Sequence, residues 1–409
     1  NITIRKNRIT AASTQIDVKT AKAAMFPSLS FSTGQQVVNR PYQETSSRVS
    51  GSEIISSNSK TSYNGNYGLN ASWTLYNGNK RLKTIQQEKL NNQMAELDVA
   101  TSENNIQESI AQVYIQILYA AESVKVNENT LQVSIAQRDR GQELLNAGSI
   151  AKSDLAQLEA QVSTDRYQLV TAQATLEDYK LQLKQLLELD GENEMNIYLP
   201  ALSDENVLAP LPTKRDVYIS ALSLRPEIEA SKLNVEASEL GINIAKSSYF
   251  PTISLSAGIG TNHTSGSDFT FGEQVKNGWN NSIGLSVSVP IFNNRQTKSA
   301  VQKAKLQYET SMLSLLDEQK ALYKTIESLW LDANSAQQRY AAANEKLKST
   351  QISYELISEQ FNLGMKNTVE LLTEKNNLLQ AQQEQLQAKY MAILNTQLLK
   401  FYQGDQLAL

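Results

Sequence analysis

Residues 293–364 read NNRQTKSAVQKAKLQYETSMLSLLDEQKALYKTIESLWLDANSAQQRYAAANEKLKSTQISYELISEQFNLG, with no glycine or proline before Gly364. A helix over this whole stretch would reach roughly 100 Å. Its apolar and small residues fall at Tyr308, Met312 and Leu315, then at Leu322, Ile326, Leu329, Ala333, Ala336, Tyr340, Ala343 and Leu347, mostly in alternating steps of three and four. A repeat of that kind predicts left-handed supercoiling against partner helices. Beyond Gly364, residues 365–403 are again free of Gly and Pro and carry Leu371, Leu372, Leu378, Leu379, Leu386, Tyr390, Ile393 and Leu398. Two antiparallel rods meeting at a short turn are expected.

Outward from these rods the chain repeats itself. Ala21-Lys22-Ala23-Ala24-Met25-Phe26-Pro27-Ser28-Leu29-Ser30-Phe31 aligns with Ala245-Lys246-Ser247-Ser248-Tyr249-Phe250-Pro251-Thr252-Ile253-Ser254-Leu255, and Asn146-Ala147-Gly148 aligns with Asn362-Leu363-Gly364. The sequence is thus a tandem duplication, each copy reading helix, strand, loop, strand, long helix, turn, long helix. The first repeat is expected over 1–199, with strands at about 28–37 and 65–76 and a helical hairpin over 79–189. A Pro-containing connector follows over 200–215, and the second repeat over 216–409, with strands at about 252–260 and 279–290 and a hairpin over 293–403. Residues 1–25 read as a helix with Ile9 and Ile16 on one side, stopped at Phe26-Pro27. Loops are expected over 38–64 and 261–278.

The strands carry one greasy and one small polar face. Ile253, Leu255, Ala257 and Ile259 alternate with Ser254, Ser256, Gly258 and Gly260; Tyr67, Leu69, Ala71 and Trp73 alternate with Gly68, Asn70, Ser72 and Thr74. An ordinary half-buried antiparallel hairpin gives such alternation. A membrane barrel gives it too, and three features point there. Aromatics stand at all four strand–helix junctions (Phe26, Tyr76, Tyr249 with Phe250, and Phe292), the segments have the length of tilted membrane strands, and the polar face suits a wet lumen. Four strands cannot enclose a pore. Two protomers would give eight strands and a filled interior, whereas three would give twelve and an open channel.

Totals narrow the function. The chain of 409 residues has 40% hydrophobic residues and a mean hydropathy of −0.40, as expected where each helix buries one narrow seam. No run of eighteen apolar residues predicts a membrane-crossing helix. No signal peptide stands at Asn1, so a mature form, a trimmed form or a protein that is not exported is expected. Net charge is −4, with Lys and Arg interspersed among acids, which argues against nucleic acid. With no cysteine and a single histidine, His263, in a Gly/Ser/Asn-rich segment, neither a thiol nucleophile nor a multi-histidine metal site is available. No enzyme and no cofactor are expected.

The order of Arg225-Pro226-Glu227, Phe250-Pro251, Ser288-Val289-Pro290-Ile291-Phe292 and the paired tips resembles the TolC-type outer-membrane efflux channel family over nearly the whole chain. The resemblance implies a mixed α and transmembrane β fold: a trimeric twelve-stranded β-barrel, four strands per protomer, continued by an α-barrel of long antiparallel coiled-coil helices in the periplasm. It implies a homotrimeric exit duct in the bacterial outer membrane, surrounded by outer-membrane lipid and working with a periplasmic adaptor (membrane fusion protein) and an inner-membrane pump. Small molecules such as drugs and toxic compounds are the cargo expected from the family's commonest role; type I protein secretion is the alternative. A soluble structural coiled-coil protein is the competing class, and it leaves the greasy strand faces unexplained.

By position, the family's periplasmic latch falls on Asp154, Phe361 and Lys366, and its acidic ring on Glu370, with Glu374 in place of a second acid that would align with Thr373. Phe361 cannot donate a hydrogen bond. Asp154 and Glu370 also sit in first turns of return helices, where acids are favoured by the macrodipole, and Asn367 with Glu370 resembles a capping pair. Gly148 and Gly364 are expected as left-handed C′ residues. Together with Ser149 and Met365 they form the tips expected to dock the adaptor.

Overall fold

The computed structural model describes residues 1–42, 46–50, 53–57, 60–189, 197–198 and 207–407. These divide into two compact units, one made of Asn1–Ile9, Glu96–Ser231 and Ser314–Leu409 and the other of Thr10–Ala95 and Lys232–Leu313.

The second unit is organised by a four-stranded antiparallel sheet. Its strands are β1 (Ser28–Asn39), β4 (Thr61–Asn77), β5 (Thr252–Thr264) and β6 (Asn280–Ser288), hydrogen-bonded in the order β1-β4-β5-β6. The register aligns the faces across the sheet. Phe31 stands opposite Leu69, Leu69 opposite Ile259, Trp73 opposite Leu255, and Leu255 opposite Leu285, while Ser28, Ser72, Ser256 and Gly284 form a row on the other face. A register shift between Thr74 and Tyr76 brings Tyr76 opposite Ile253, keeping that aromatic on the greasy side. Leu29, Phe31, Ile283, Leu285 and Val287 are exposed, so among the described residues this part of the apolar sheet face is uncovered.

The segments 38–64 and 261–278, expected as loops, are more ordered than their composition suggests. A two-stranded hairpin, β2 (Ser46–Ser50) and β3 (Glu53–Ser57), lies within the first. Within the second, β5 continues to Thr264 and a short helix, Phe271–Asn277, follows. Thr270 caps that helix by accepting from the Glu273 N–H, and the Glu273 carboxylate accepts from the Thr270 N–H in return. Thr-x-x-Glu is a legible helix start even inside a Gly/Ser-rich segment.

Helix α1 (Ile2–Ala23) ends before Pro27. Val18 is buried, whereas Ile9 and Ile16 are exposed, so the stripe read from sequence has no cover among the described residues.

The first unit holds most of the long helices: the later part of α2 (Lys80–Asn146), α3 (Lys152–Leu187), α4 (Lys214–Leu224), the start of α5 (Pro226–Ser247), most of α7 (Gln296–Asn362) and all of α8 (Thr368–Gln403), with α6 being the short helix Phe271–Asn277. The seam on α7 is buried at Leu322, Ile326, Ala333, Ala336, Tyr340 and Ala343, and on α8 at Leu371, Leu378, Leu379, Leu386, Tyr390, Ile393 and Leu398. Met312 departs from this pattern and is exposed.

Arg225 is a buried cation that fixes the junction of α4 and α5. Its guanidinium donates to Glu108 and Glu227, each at 2.9 Å, and lies 3.9 Å from the Tyr402 ring centroid. Burial, reinforced by the Glu108 charge, pushes the Tyr402 phenol up to about 12. The described end of the expected connector is packed: Val207 is fully buried, Gln337 donates to the Val207 and Ala209 carbonyls, and the Trp330 indole donates to Pro212. The connector's earlier part lies outside the described residues.

Candidate functional site

Two helical turns of near-identical construction close the hairpins of the first unit. Gly148 and Gly364 have φ of 76° and 74°. Around the first, the Gly148 N–H donates to the Leu145 carbonyl and the Ser149 N–H to that of Leu144; around the second, Gly364 donates to Phe361 and Met365 to Gln360. This is the Schellman pattern, which satisfies carbonyls left free at a helix end. It requires a left-handed residue, and glycine occupies that conformation without a Cβ penalty. Leu363 and Met365 are exposed beside it.

The return helices are capped by the predicted acids. The Asp154 carboxylate accepts from the Ala151 N–H at 3.0 Å. On the second hairpin the arrangement is reciprocal: the Asn367 side chain accepts from the Glu370 N–H at 2.9 Å, and Glu370 accepts from the Asn367 N–H at 3.3 Å. Lys366 donates to the Glu370 carboxylate at 2.5 Å. Asp154 and Lys366 are therefore each engaged within their own turn. Glu374, one turn on, accepts from Ser353 at 3.1 Å and Asn377 at 3.3 Å.

The Lys366 hydrogen bond, followed by that from the Asn367 N–H, holds the Glu370 carboxyl below the usual carboxylate range. A folded-state value below the unfolded one contributes stability above the ordinary carboxylate range, and this is lost as pH falls through the depressed value. Glu370→Gln is thus expected to speed hydrogen exchange at amides 368–371 at neutral pH. The difference from wild type should shrink as pH falls below the ordinary carboxylate range and vanish once the pH is below the depressed value.

Phe361 takes a different place from the capping residues. It is 2% exposed and packs in a cluster with Leu144, Leu158 and Leu371, flanked by Ile150, Tyr354, Ile357 and Leu372. Its ring binds α7 to α2, α3 and α8 through packing alone.

A charged centre that sequence reasoning missed lies above this cluster. The Lys375 ammonium donates to the Asp165 carboxylate and to the Ser134 hydroxyl, Ser134 donates to the same carboxylate, and Gln161 donates to its other oxygen at 2.9 Å. Lys375 is 3% exposed and Asp165 1%. Burial pushes the Lys375 ammonium below the ordinary lysine range, while Asp165 pulls it back up. The signal was present in the spacing. Leu155, Leu158, Val162 and Asp165 continue one three-four seam, and Thr368, Leu371, Lys375 and Leu378 another, so each helix places one charge of opposite sign in its apolar stripe. A polar residue at a seam position specifies register.

In the sheet unit, Phe26, Phe250 and Phe292 are exposed at the junctions. The Trp73 indole donates to the Met25 carbonyl at 2.8 Å, tying β4 to the end of α1. The four predicted junction aromatics are thus distributed along one end of the sheet.

A family described as outer membrane efflux protein matches residues 1–188 and 217–404. The chain is 24% identical over 294 residues to the outer membrane efflux protein BepC of Brucella suis biovar 1 (strain 1330), covering 71% of this chain and 61% of that one. It is 24% identical over 294 residues to the outer membrane protein TolC of Escherichia coli (strain K12), covering 70% and 58%. These matches span about three fifths of the relatives' own length. Among solved structures, the transmembrane channel CusC shares the fold with a TM-score of 0.82 at 19% identity, covering 99% of this chain and 90% of that one.

Proposed function

The chain belongs to the outer membrane efflux protein family, bacterial outer-membrane channels, and from this premise we propose that it is one protomer of a homotrimeric exit duct. The observation that carries the reading is the sheet: a continuous apolar face of Phe31, Leu69, Leu255 and Leu285, a face of serines, asparagine and glycines, and two outer strands, β1 and β6, each paired on one side. An unpaired strand edge is a template for another chain. Three copies joining β6 to β1 give twelve strands, greasy towards lipid and polar towards a lumen wide enough to conduct. The exposed Ile9 and Ile16 offer further surface for a second copy.

The duct's periplasmic end is formed by the helical tips, where Asp154, Phe361, Lys366, Glu370 and Glu374 set the aperture. Gly148, Ser149, Gly364 and Met365 present the docking surface for a periplasmic adaptor, which links the duct to an inner-membrane pump. Small molecules are the cargo. Phe26, Tyr76, Phe250 and Phe292 mark the periplasmic membrane–water boundary of the outer membrane.

Single-channel conductance of the detergent-purified protein in a planar bilayer tests this reading. Low resting conductance is expected, rising when Asp154 and Lys366 are both replaced by alanine. A protein soluble in plain buffer, monomeric and without conductance in either form, would overturn it.

A further inference from the structure

The duct reading accounts for aromatics at one end of the sheet and leaves those at the other end without a role. Helix α6 lies on the greasy side of that second end. The Thr261 hydroxyl donates to the Val275 carbonyl at 2.8 Å, and the Phe271 ring packs against those of His263 at 5.1 Å and Tyr67 at 6.5 Å. Thr261 and His263 continue the alternation of Leu255, Ala257 and Ile259, and Tyr67 stands opposite Thr261. The helix therefore covers only the far end of the apolar face, at Tyr67, Thr261 and His263.

Phe271, at the start of the helix, and Phe269 and Trp279, which flank it, are 57%, 51% and 57% exposed. Charges beside them are sparse and mixed, namely Asp268, Glu273 and Lys276. Spacing along the strand is equally specific. From Ile253, beside the junction aromatics, to His263 is about 33 Å of strand, or about 25 Å along the membrane normal at a tilt of ~40°, which matches the height of a barrel's apolar band.

We propose that α6, with Phe269, Phe271 and Trp279, seats in the headgroup–acyl boundary of the outer leaflet and anchors the far rim of the sheet there. The proposal rests on the duct reading above. The occupant is lipid because the surface is continuous with the lipid-facing strands. Anchorage is by the apolar Phe269 and Phe271 rings and the amphipathic Trp279 indole and not by charge, since the charges of the described segment 265–279, Asp268, Glu273 and Lys276, form no basic cluster, so it should be insensitive to ionic strength.

The chain has three tryptophans, Trp73, Trp279 and Trp330, which makes the test direct. Full-length protein and Trp279→Phe are reconstituted into phosphatidylcholine vesicles brominated either near the glycerol end or near the chain terminus. The difference between the two proteins isolates the Trp279 emission, and substitution at this exposed site leaves the fold in place. That emission is expected to fall by half or more with the shallow label, less with the deep one, and equally at low and high salt. Trp73, on the strand face, supplies the quenching that remains in Trp279→Phe. Quenching of Trp73 with none of Trp279 would overturn the anchor and leave the duct standing, with α6 in water or against another copy. Quenching of neither would overturn the duct reading itself.

Discussion

Lys375→Met is expected to cost about 3–5 kcal/mol of local stability. Methionine is close to lysine in length and apolar, so packing is nearly conserved and the loss is electrostatic. The Asp165 carboxylate then stays 1% exposed with hydrogen bonds from Ser134 and Gln161 and no counter-charge. Hydrogen bonds alone do not repay the desolvation of an ion in a helix core. Removing both charges, with Lys375→Met and Asp165→Leu together, is expected to restore stability to within about 1 kcal/mol of wild type or to exceed it. The two substitutions are thus strongly non-additive. Amide hydrogen exchange reads this locally in residues 130–138, 161–169 and 371–379, where the single variant should exchange on the order of a hundredfold faster or more. Equal protection in wild type and Lys375→Met would mean that Asp165 is already solvated in the assembled protein.

This centre joins the two sequence repeats, Ser134 and Asp165 coming from the first and Lys375 from the second. A buried pair of this kind is a poor source of stability and a good source of register. Slipping α8 by one turn against α3 would leave both charges unpaired among leucines, so the pair excludes registers that Leu378 and Leu379 alone would tolerate.

The boundary between what could and could not be read follows from range. The α7 seam from Leu322 to Ala343 is set by local spacing, and its burial is legible because every step of three or four returns to one face. The strand faces are legible for the same reason, with a period of two. The Asn367–Glu370 cap spans three residues and is readable as a pair. The partner of Lys375 lies 210 positions away, and no periodicity encodes which of the opposing seams will face it. Helix α6 was hidden differently: its Thr270–Glu273 box is local, but the surrounding Gly and Ser content outweighed it. The hairpin β2–β3 lies in a serine-rich segment, where turn residues mask short runs such as Arg48-Val49 and Ile54-Ile55.

Phe361→Ala is expected to cost about 3–5 kcal/mol, because it empties a buried site between Leu144, Leu158 and Leu371 that rigid helices cannot collapse into. The same residue's carbonyl accepts from the Gly364 N–H at 2.9 Å, so the loss falls directly on the turn. By comparison, Asp154→Ala removes one cap hydrogen bond, worth about 1 kcal/mol, and Leu363→Ala or Met365→Ala, both at exposed positions, should stay within about 0.5 kcal/mol. Thermal unfolding followed by helical circular dichroism checks this order. On the proposed duct reading it becomes a statement about the gate. If packing sets the aperture, Phe361→Ala raises resting conductance more than Asp154→Ala combined with Lys366→Ala, since it loosens several helices at once. If the polar contacts set it, the order reverses, and Phe361→Ala lowers the melting temperature with little change in current.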